Sequence, residues 1–151
     1  MSGFLVDTNV LVYAYDQTDG TKRDRARTVL ERLGGHQGGV LTTQVLGEFF
    51  RVVTQKIPSP LTPMEAGRSV TNYVRSWPVY PVTVAMVLEA VRNVQRHQLA
   101  YWDALILAGA KLHNVPYVLT EDFSHGALLE GVRFLNPFAA GFDLALLERR
   151  R

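Results

Sequence analysis

Between Asp103 and the turn at Asn114-Val115-Pro116 the chain reads Ala104-Leu105-Ile106-Leu107-Ala108-Gly109-Ala110, apolar on every side. A helix is apolar all the way round only where neighbours cover most of it, so this segment predicts a core helix around which the rest must be layered. Its seven apolar residues fall far short of the roughly 20 that cross a bilayer, and Lys111 and His113 follow at once. Beyond Pro116, Tyr117-Val118-Leu119 is a short β-branched and aromatic run, expected as a strand buried on both faces, and it ends in Thr120-Glu121-Asp122. One acid thus opens a buried helix and another closes a buried strand. Carboxylates in such places either cap backbone or perform chemistry.

The rest of the chain alternates in the same way. Phe4-Leu5-Val6 reads as a strand running into Asp7-Thr8-Asn9 and a helix through Tyr15. A second helix from about Lys22 places Ala26, Val29, Leu30 and Leu33 on one side, and Gly34-Gly35 stops it. Val40-Leu41 begins a strand, and Thr42 or Thr43 caps a helix with Val45, Phe49, Val52 and Val53 inside and Glu48 at the border of that stripe. Thr62-Pro63-Met64-Glu65 is a capping box with proline at the first helical position, opening a helix with Ala66, Val70, Tyr73, Val74 and Trp77 on its stripe. Val79-Tyr80-Pro81-Val82 reads as a proline-marked strand near a sheet edge. Thr83 then caps a helix expected to turn Val84, Val87, Leu88, Val91 and Val94 inward. After the central segment come a helical turn from His125 to Leu129, a strand Val132-Arg133-Phe134-Leu135, and a helix-prone tail from Phe138 to Arg151. Strands separated throughout by helices predict an α/β fold, a three-layer α/β/α sandwich on a central parallel sheet of about five strands, in one domain over residues 1–151. Ligands of such open sheets bind outside the carboxyl ends of the strands, where the strand order reverses. If the strands ending at Asp7 and Asp122 are neighbours there, both acids face one crevice.

Composition removes several alternatives. Apolar residues make up 47% and charged residues 20%, which excludes a disordered chain. The absence of cysteine excludes disulfides and thiolate zinc sites. Met1-Ser2-Gly3-Phe4 has neither a basic leader nor a long apolar run, so no signal peptide or membrane anchor is expected, and a cytoplasmic location fits. A formal charge of +2, from 16 Lys and Arg against 14 Asp and Glu, does not mark a nucleic-acid binder by itself. Neutralising four acids with metal leaves a distinctly basic surface.

Taken singly, the acids have plain structural readings. Asp7 caps the first helix; Asp103 either caps the core helix or ligates; Asp122 makes an Asx-turn; Glu48 is a solvated edge residue or a ligand. Taken together they open onto one edge of the expected sheet. Four carboxylates there repel by about 3 kcal/mol per pair at ~5 Å and an effective dielectric of ~20. A fold with roughly 5–15 kcal/mol of net stability does not sustain that uncompensated, so the acids take up protons or a cation joins them. All-oxygen donors without cysteine or paired histidines suit hard Mg²⁺ or Mn²⁺.

Asp7-Thr8-Asn9, Glu48, Tyr101-Trp102-Asp103-Ala104-Leu105-Ile106-Leu107-Ala108 and Leu119-Thr120-Glu121-Asp122 together resemble the PIN-domain ribonucleases, and among them the VapC toxins of toxin–antitoxin pairs. The likeness runs from Phe4 to Pro137, and the order and spacing of motifs, each weak alone, make it specific. It implies a Mg²⁺- or Mn²⁺-dependent endoribonuclease acting on single-stranded or looped RNA, inhibited by a cognate antitoxin and forming a homodimer. By position, Asp7, Glu48, Asp103 and Asp122 correspond to the metal-holding, catalytic acids, and Thr8, Asn9 and Thr120 to groups that orient them. Glu121 is expected to point to the other side.

Competing readings fit less well. A haloacid-dehalogenase-type phosphatase needs an acid where this chain has Asn9, and a receiver-like domain needs Asp and Lys near the places of Thr83 and Asn136. A PIN-like module that binds RNA or protein without turnover is the remaining alternative. His36, His97, His113 and His125 share no ligand spacing and are read as surface or capping residues; Tyr101 and Trp102 are able to stack a base, and core packing is the favoured reading. Arg23, Arg25, Arg27, Arg92 and Arg96 are candidate phosphate contacts only because the expected substrate is anionic, and Arg149-Arg150-Arg151 is read as a frayed end.

Overall fold

The computed structural model describes residues 3–35 and 38–148; His36 and the Arg149-Arg150-Arg151 tail lie outside the described residues. Phe4–Val6 forms β1, buried throughout, and Asp7 joins it to α1 (Thr8–Tyr13). α2 (Gly20–Gly35) buries Ala26, Val29 and Leu33, as its spacing predicts. β2 (Gly39–Thr42) leads into α3 (Thr43–Gln55), and Thr42 is the cap, its hydroxyl accepting from the Val45 N–H at 3.2 Å. α4 (Pro63–Ser76) starts on the expected reciprocal capping box of Thr62 and Glu65. β3 (Val79–Tyr80), α5 (Val84–His97), α6 (Tyr101–Leu112) and β4 (Tyr117–Leu119) follow. β5 (Leu128–Leu129), β6 (Val132–Leu135) and a 3-10 helix over Leu144–Glu148 complete the described chain.

The sheet order is β3-β2-β1-β4-β6-β5. β1 pairs in parallel with both β2 and β4, so the strand order reverses between β1 and β4, at the middle of the sheet. Helices flank the sheet. α1 packs on α2 and α3, α3 packs on α4, and α5 pairs with α6. α6 buries every residue from Ala104 to Ala110, as its apolar sequence requires. Gly39 admits Trp77 across β2, where a Cβ would lie 2.6 Å from the indole ring. Among the described residues no helix is long and apolar enough to cross a membrane.

Three elements depart from expectation. The sheet has six strands, not about five, because Leu128–Leu129 pairs antiparallel with β6 instead of forming a helical turn. The two-residue link, Glu130 and Gly131 at φ 52° and 81°, is the left-handed pair that makes a tight hairpin. β3 stops at Tyr80 because Pro81 has no N–H for the ladder, and Val82 N–H turns instead to the Thr43 hydroxyl at 3.1 Å. α5 is rotated: Met86, Glu89, Ala90 and Asn93 face inward, while Val84, Val87, Leu88 and Val91 are exposed. The small Ala104 and Ala108 of α6 accept Met86 and Ala90 closely. Lys111 and Arg92 neutralise the inward-facing Glu89 carboxylate, with Lys111 Nζ donating at 2.8 Å.

Candidate active site

Asp7 ends β1 and Asp122 lies just beyond β4, the two strands on either side of the reversal point. Asp103 projects from the first turn of α6. These three carboxylates come together, with one oxygen from each within 4.8 Å of the others. Glu48 on α3 lines the same cleft, of about 460 Å³, without joining that tight group. Its Oε1 accepts from Thr8 Oγ1 at 3.0 Å and from Gln44 Nε2 at 3.5 Å.

A polar scaffold behind the acids sets their orientation. Asp7 caps α1, its Oδ1 accepting from Thr8 N–H at 2.7 Å, while its Oδ2 accepts from Thr120 Oγ1 at 2.8 Å. Thr120, fully buried, accepts in turn from Asn9 Nδ2 at 3.3 Å and from Asp122 N–H at 3.1 Å. Thr8, Asn9 and Thr120 therefore all touch the acids or one another. Asp103 does not cap its helix: the cap position is Ala100, and among the described residues no donor reaches the Asp103 carboxylate. Nor does the Asp122 side chain make an Asx-turn hydrogen bond among those residues. Of the three acids with local readings, Asp7 makes its cap, while the Asp103 and Asp122 carboxylates stay open to the cleft.

The electrostatics follow from burial. Asp7 is pushed up from 3.8 to about 6, chiefly by burial, with Asp122 and Asp103 adding repulsion and the Thr120 and Thr8 hydrogen bonds opposing it. Asp103 is raised above the usual carboxylate range by burial and then by the charges of Asp122 and Glu48. Among the described residues, none of Asp7, Glu48, Asp103 or Asp122 forms an ion pair. An all-carboxylate donor set with one buried member whose pKa is raised fits a hard divalent cation and gives a soft metal no ligand.

Some residues with a place at the site escaped sequence reasoning. Arg51, one turn beyond Glu48 on α3, and Lys56, the residue that caps the helix's C-terminus, line the cleft; the i, i+3, i+8 spacing from Glu48 was the available signal. Tyr13 lines it too, and its hydroxyl donates to Glu121 Oε1 at 2.5 Å. Glu121 also receives Lys22 Nζ at 2.7 Å, so its carboxylate pairs with Tyr13 and Lys22; β4 ends at Leu119, and strand alternation does not extend to it. Trp102, expected in the core, is 59% exposed at the cleft, because the buried face of α6 begins at Ala104. Arg92 and Arg96 pair with Glu89 and Glu130, and Arg27 donates to the Ala14 carbonyl, so these cations serve the fold.

Solved structures with this fold share little sequence with the chain. A toxin–antitoxin complex from Klebsiella pneumoniae superposes with a TM-score of 0.67 at 19% identity, covering 90% of this chain and 98% of that one. The sarcin–ricin-loop-cleaving toxin VapC20 of Mycobacterium tuberculosis gives 0.62 at 18% identity, covering 87% and 99%. PAE2754 from Pyrobaculum aerophilum gives 0.63 at 15% identity, covering 97% and 95%. No curated protein matches the chain in sequence. The family model described as PIN domain matches residues 4–127, a span that contains all four acids and the strand reversal between them, and the chain belongs to the PIN-domain family.

Proposed function

We propose that the chain, a single domain over residues 1–151, is a Mg²⁺- or Mn²⁺-dependent endoribonuclease and the toxin of a toxin–antitoxin pair. The observation that carries this reading is the convergence of Asp7, Asp103 and Asp122 within 4.8 Å at the carboxyl edge of the sheet, without a cationic partner among the described residues. Asp7, Asp103, Asp122 and Glu48 would hold the metal. When bound, such an ion polarises a phosphate oxygen and makes water a competent nucleophile at neutral pH. Thr120 and Thr8 hold the Asp7 oxygens in fixed directions, Thr8 also holds Glu48, and Asn9 secures Thr120. Water attacks phosphorus in line with the leaving 3′-oxygen, so hydrolysis leaves a 5′-phosphate. Arg51 and Lys56, at the rim of the same cleft, attract the anionic strand.

The toxin assignment is supported by structural relatives described as a toxin–antitoxin complex and as a sarcin–ricin-loop-cleaving toxin. A small antitoxin is accordingly the expected protein partner, and the cytoplasm the expected location. The exposed Val84, Leu88 and Val91 of α5 support a homodimer, since water does not favour such a face uncovered. The deciding experiment incubates purified protein with single-stranded RNA in Mn²⁺ and in EDTA, alongside Asp7→Asn and Asp103→Asn. Cleavage in Mn²⁺ alone, lost in both variants and leaving 5′-phosphate ends, is the expected result. Equal cleavage in EDTA, or full activity of either variant, would overturn the proposal; binding without any cleavage would make the chain a binding module.

A further inference from the structure

Trp102 sits in the first turn of the most buried helix, beside Asp103, yet is 59% exposed, while the chain's other tryptophan, Trp77, is 9% exposed. Its position is held. Its carbonyl accepts from Gln44 Nε2 at 3.4 Å, and its ring packs edge-on to Tyr101 with centroids 5.0 Å apart. Arg51 is exposed, and among the described residues it makes neither an ion pair nor a side-chain hydrogen bond. A second cleft, of about 580 Å³, adjoins the acid cleft and shares Gln44, Glu48, Arg51 and Trp102 with it. The carboxylate cluster, a presented aromatic plane and a free guanidinium therefore lie along one groove.

We propose that Trp102 stacks an unpaired base of the substrate while Arg51 holds the adjoining phosphate, which makes these two residues the determinants of single-strand preference. This rests on reading the acids as a nuclease site. Every base has a π-face, so stacking tolerates sequence, but a duplex hides those faces and cannot offer one to Trp102. The strand's phosphates are repelled by the carboxylates, and Arg51, about one turn from Glu48 on α3, offsets that repulsion where the strand approaches. The surroundings favour a polyanion over a second copy of the chain: Gln44, Glu48 and Arg51 line the groove with the ring, beside Val82 and Leu105, whereas Val84, Val87, Leu88 and Val91 make the exposed apolar stripe of α5.

The test titrates intact protein with an oligoribonucleotide of about eight residues in EDTA, following tryptophan fluorescence, with the site size set by single-strand grooves of this kind. Single strands should quench strongly and the matching duplex weakly, and Trp102→Phe should abolish the fluorescence change while keeping most of the affinity. Trp102→Ala should weaken binding roughly tenfold, and the loss under Mn²⁺ should fall on KM rather than kcat. Arg51→Gln should reduce the slope of log affinity against log salt by about one. Unchanged affinity and KM in Trp102→Ala would overturn the proposal, as would a sedimenting dimer in which Trp102 is shielded from acrylamide. Wild type that binds and quenches but never cleaves would overturn the nuclease reading and, with it, the role of Trp102 and Arg51 toward a substrate, leaving them a single-strand binding surface. Wild type that cleaves, with Trp102→Ala unaffected, would remove this one alone.

Discussion

Thr120 Oγ1 donates to Asp7 Oδ2 at 2.8 Å, linking two residues 113 positions apart. The bond ties the end of β4 to the end of β1, and the same hydroxyl accepts from Asp122 N–H at 3.1 Å. One buried side chain thus holds the carboxylate of Asp7 and the backbone of Asp122. Thr120→Val keeps the shape and removes the hydroxyl, leaving Asp7 with an unsatisfied oxygen in a buried site at a cost of about 1–3 kcal/mol. Because that hydrogen bond lowers the pKa of Asp7, its loss raises the pKa further. Mn²⁺ affinity measured by calorimetry at neutral pH is expected to fall by roughly 10–100-fold, with far-ultraviolet circular dichroism unchanged. Unaltered affinity would mean that Asp7 does not depend on Thr120.

Asp7 makes the metal-free protein sensitive to pH in a stated direction. Its pKa is about 6 in the fold against an ordinary 3.8, so the folded chain holds this proton more tightly than the unfolded chain does. The associated stability is fully present below pH 3.8 and is lost as pH rises through about 6. Ionising Asp7 in EDTA at pH 7.5 therefore costs about 3 kcal/mol. Asp7→Asn carries no charge there, and in urea unfolding it should be more stable than wild type at pH 7.5, with the gap closing toward pH 4. Mn²⁺ should stabilise wild type and not the variant. A variant less stable than wild type in EDTA at pH 7.5 would contradict this account.

The outcome at Asp7 illustrates what the sequence disclosed and what it withheld. The apolar run Ala104–Ala110 and the capping box at Thr62 are local signals from which the core helix and α4 follow. The reversal of strand order between β1 and β4 is only a condition in the sequence and is supplied by pairing distant in the chain. Of the readings open for Asp7, the structure shows the cap: one oxygen accepts from the Thr8 N–H at the start of α1, and the other accepts from Thr120 beside Asp103 and Asp122. α5 was unreadable for a physical reason: its valine stripe is the obvious inner face until Lys111, on a different helix, supplies the charge that lets Glu89 turn inward. The β5–β6 hairpin was equally hidden, because Glu-Gly is not a usual left-handed turn pair. Glu130 holds φ 52° where its carboxylate meets Lys111 Nζ at 2.9 Å and His97 Nε2 at 2.8 Å. In each case a contact distant in sequence outweighed a local pattern.

The rotation of α5 leads to a prediction about assembly. Leu88 is 57% exposed and lies between Val84 and Val91 on the uncovered stripe. If that face joins two copies, Leu88→Glu places a charge in an apolar contact and should shift a sedimenting dimer to monomer. The cluster of Asp7, Asp103 and Asp122 is built from other elements, so the monomer should still bind Mn²⁺. Wild type that sediments as a monomer, or a Leu88→Glu dimer of full strength, would show that this face serves something else.

Lys111 is the centre of the ionic clasp that produced both surprises, since its Nζ meets Glu89 Oε2 at 2.8 Å and Glu130 Oε1 at 2.9 Å. Lys111→Met retains most of the apolar stem and removes the charge. The Glu89 side chain, only 4% exposed, then keeps Arg92 alone, and the left-handed turn at Glu130 loses its firmest anchor. Destabilisation of about 1–3 kcal/mol is expected at pH 7, from a buried charged group losing a hydrogen-bond partner. The pH dependence runs opposite to that of Asp7. Lys111 and then His97 draw Glu130 down to about 2, and Lys111 with Arg92 holds Glu89 below its ordinary 4.5. The stability from these pairs is present above pH 4.5 and fades as pH falls toward 2. Urea unfolding should show the full difference between wild type and variant at pH 7 and a smaller one at pH 3.5. Adding Glu89→Gln to Lys111→Met should recover part of the loss at pH 7, because the inward-facing charge is then gone. A difference that stays constant between the two pH values would assign the effect of Lys111 to packing of its stem and not to its charge.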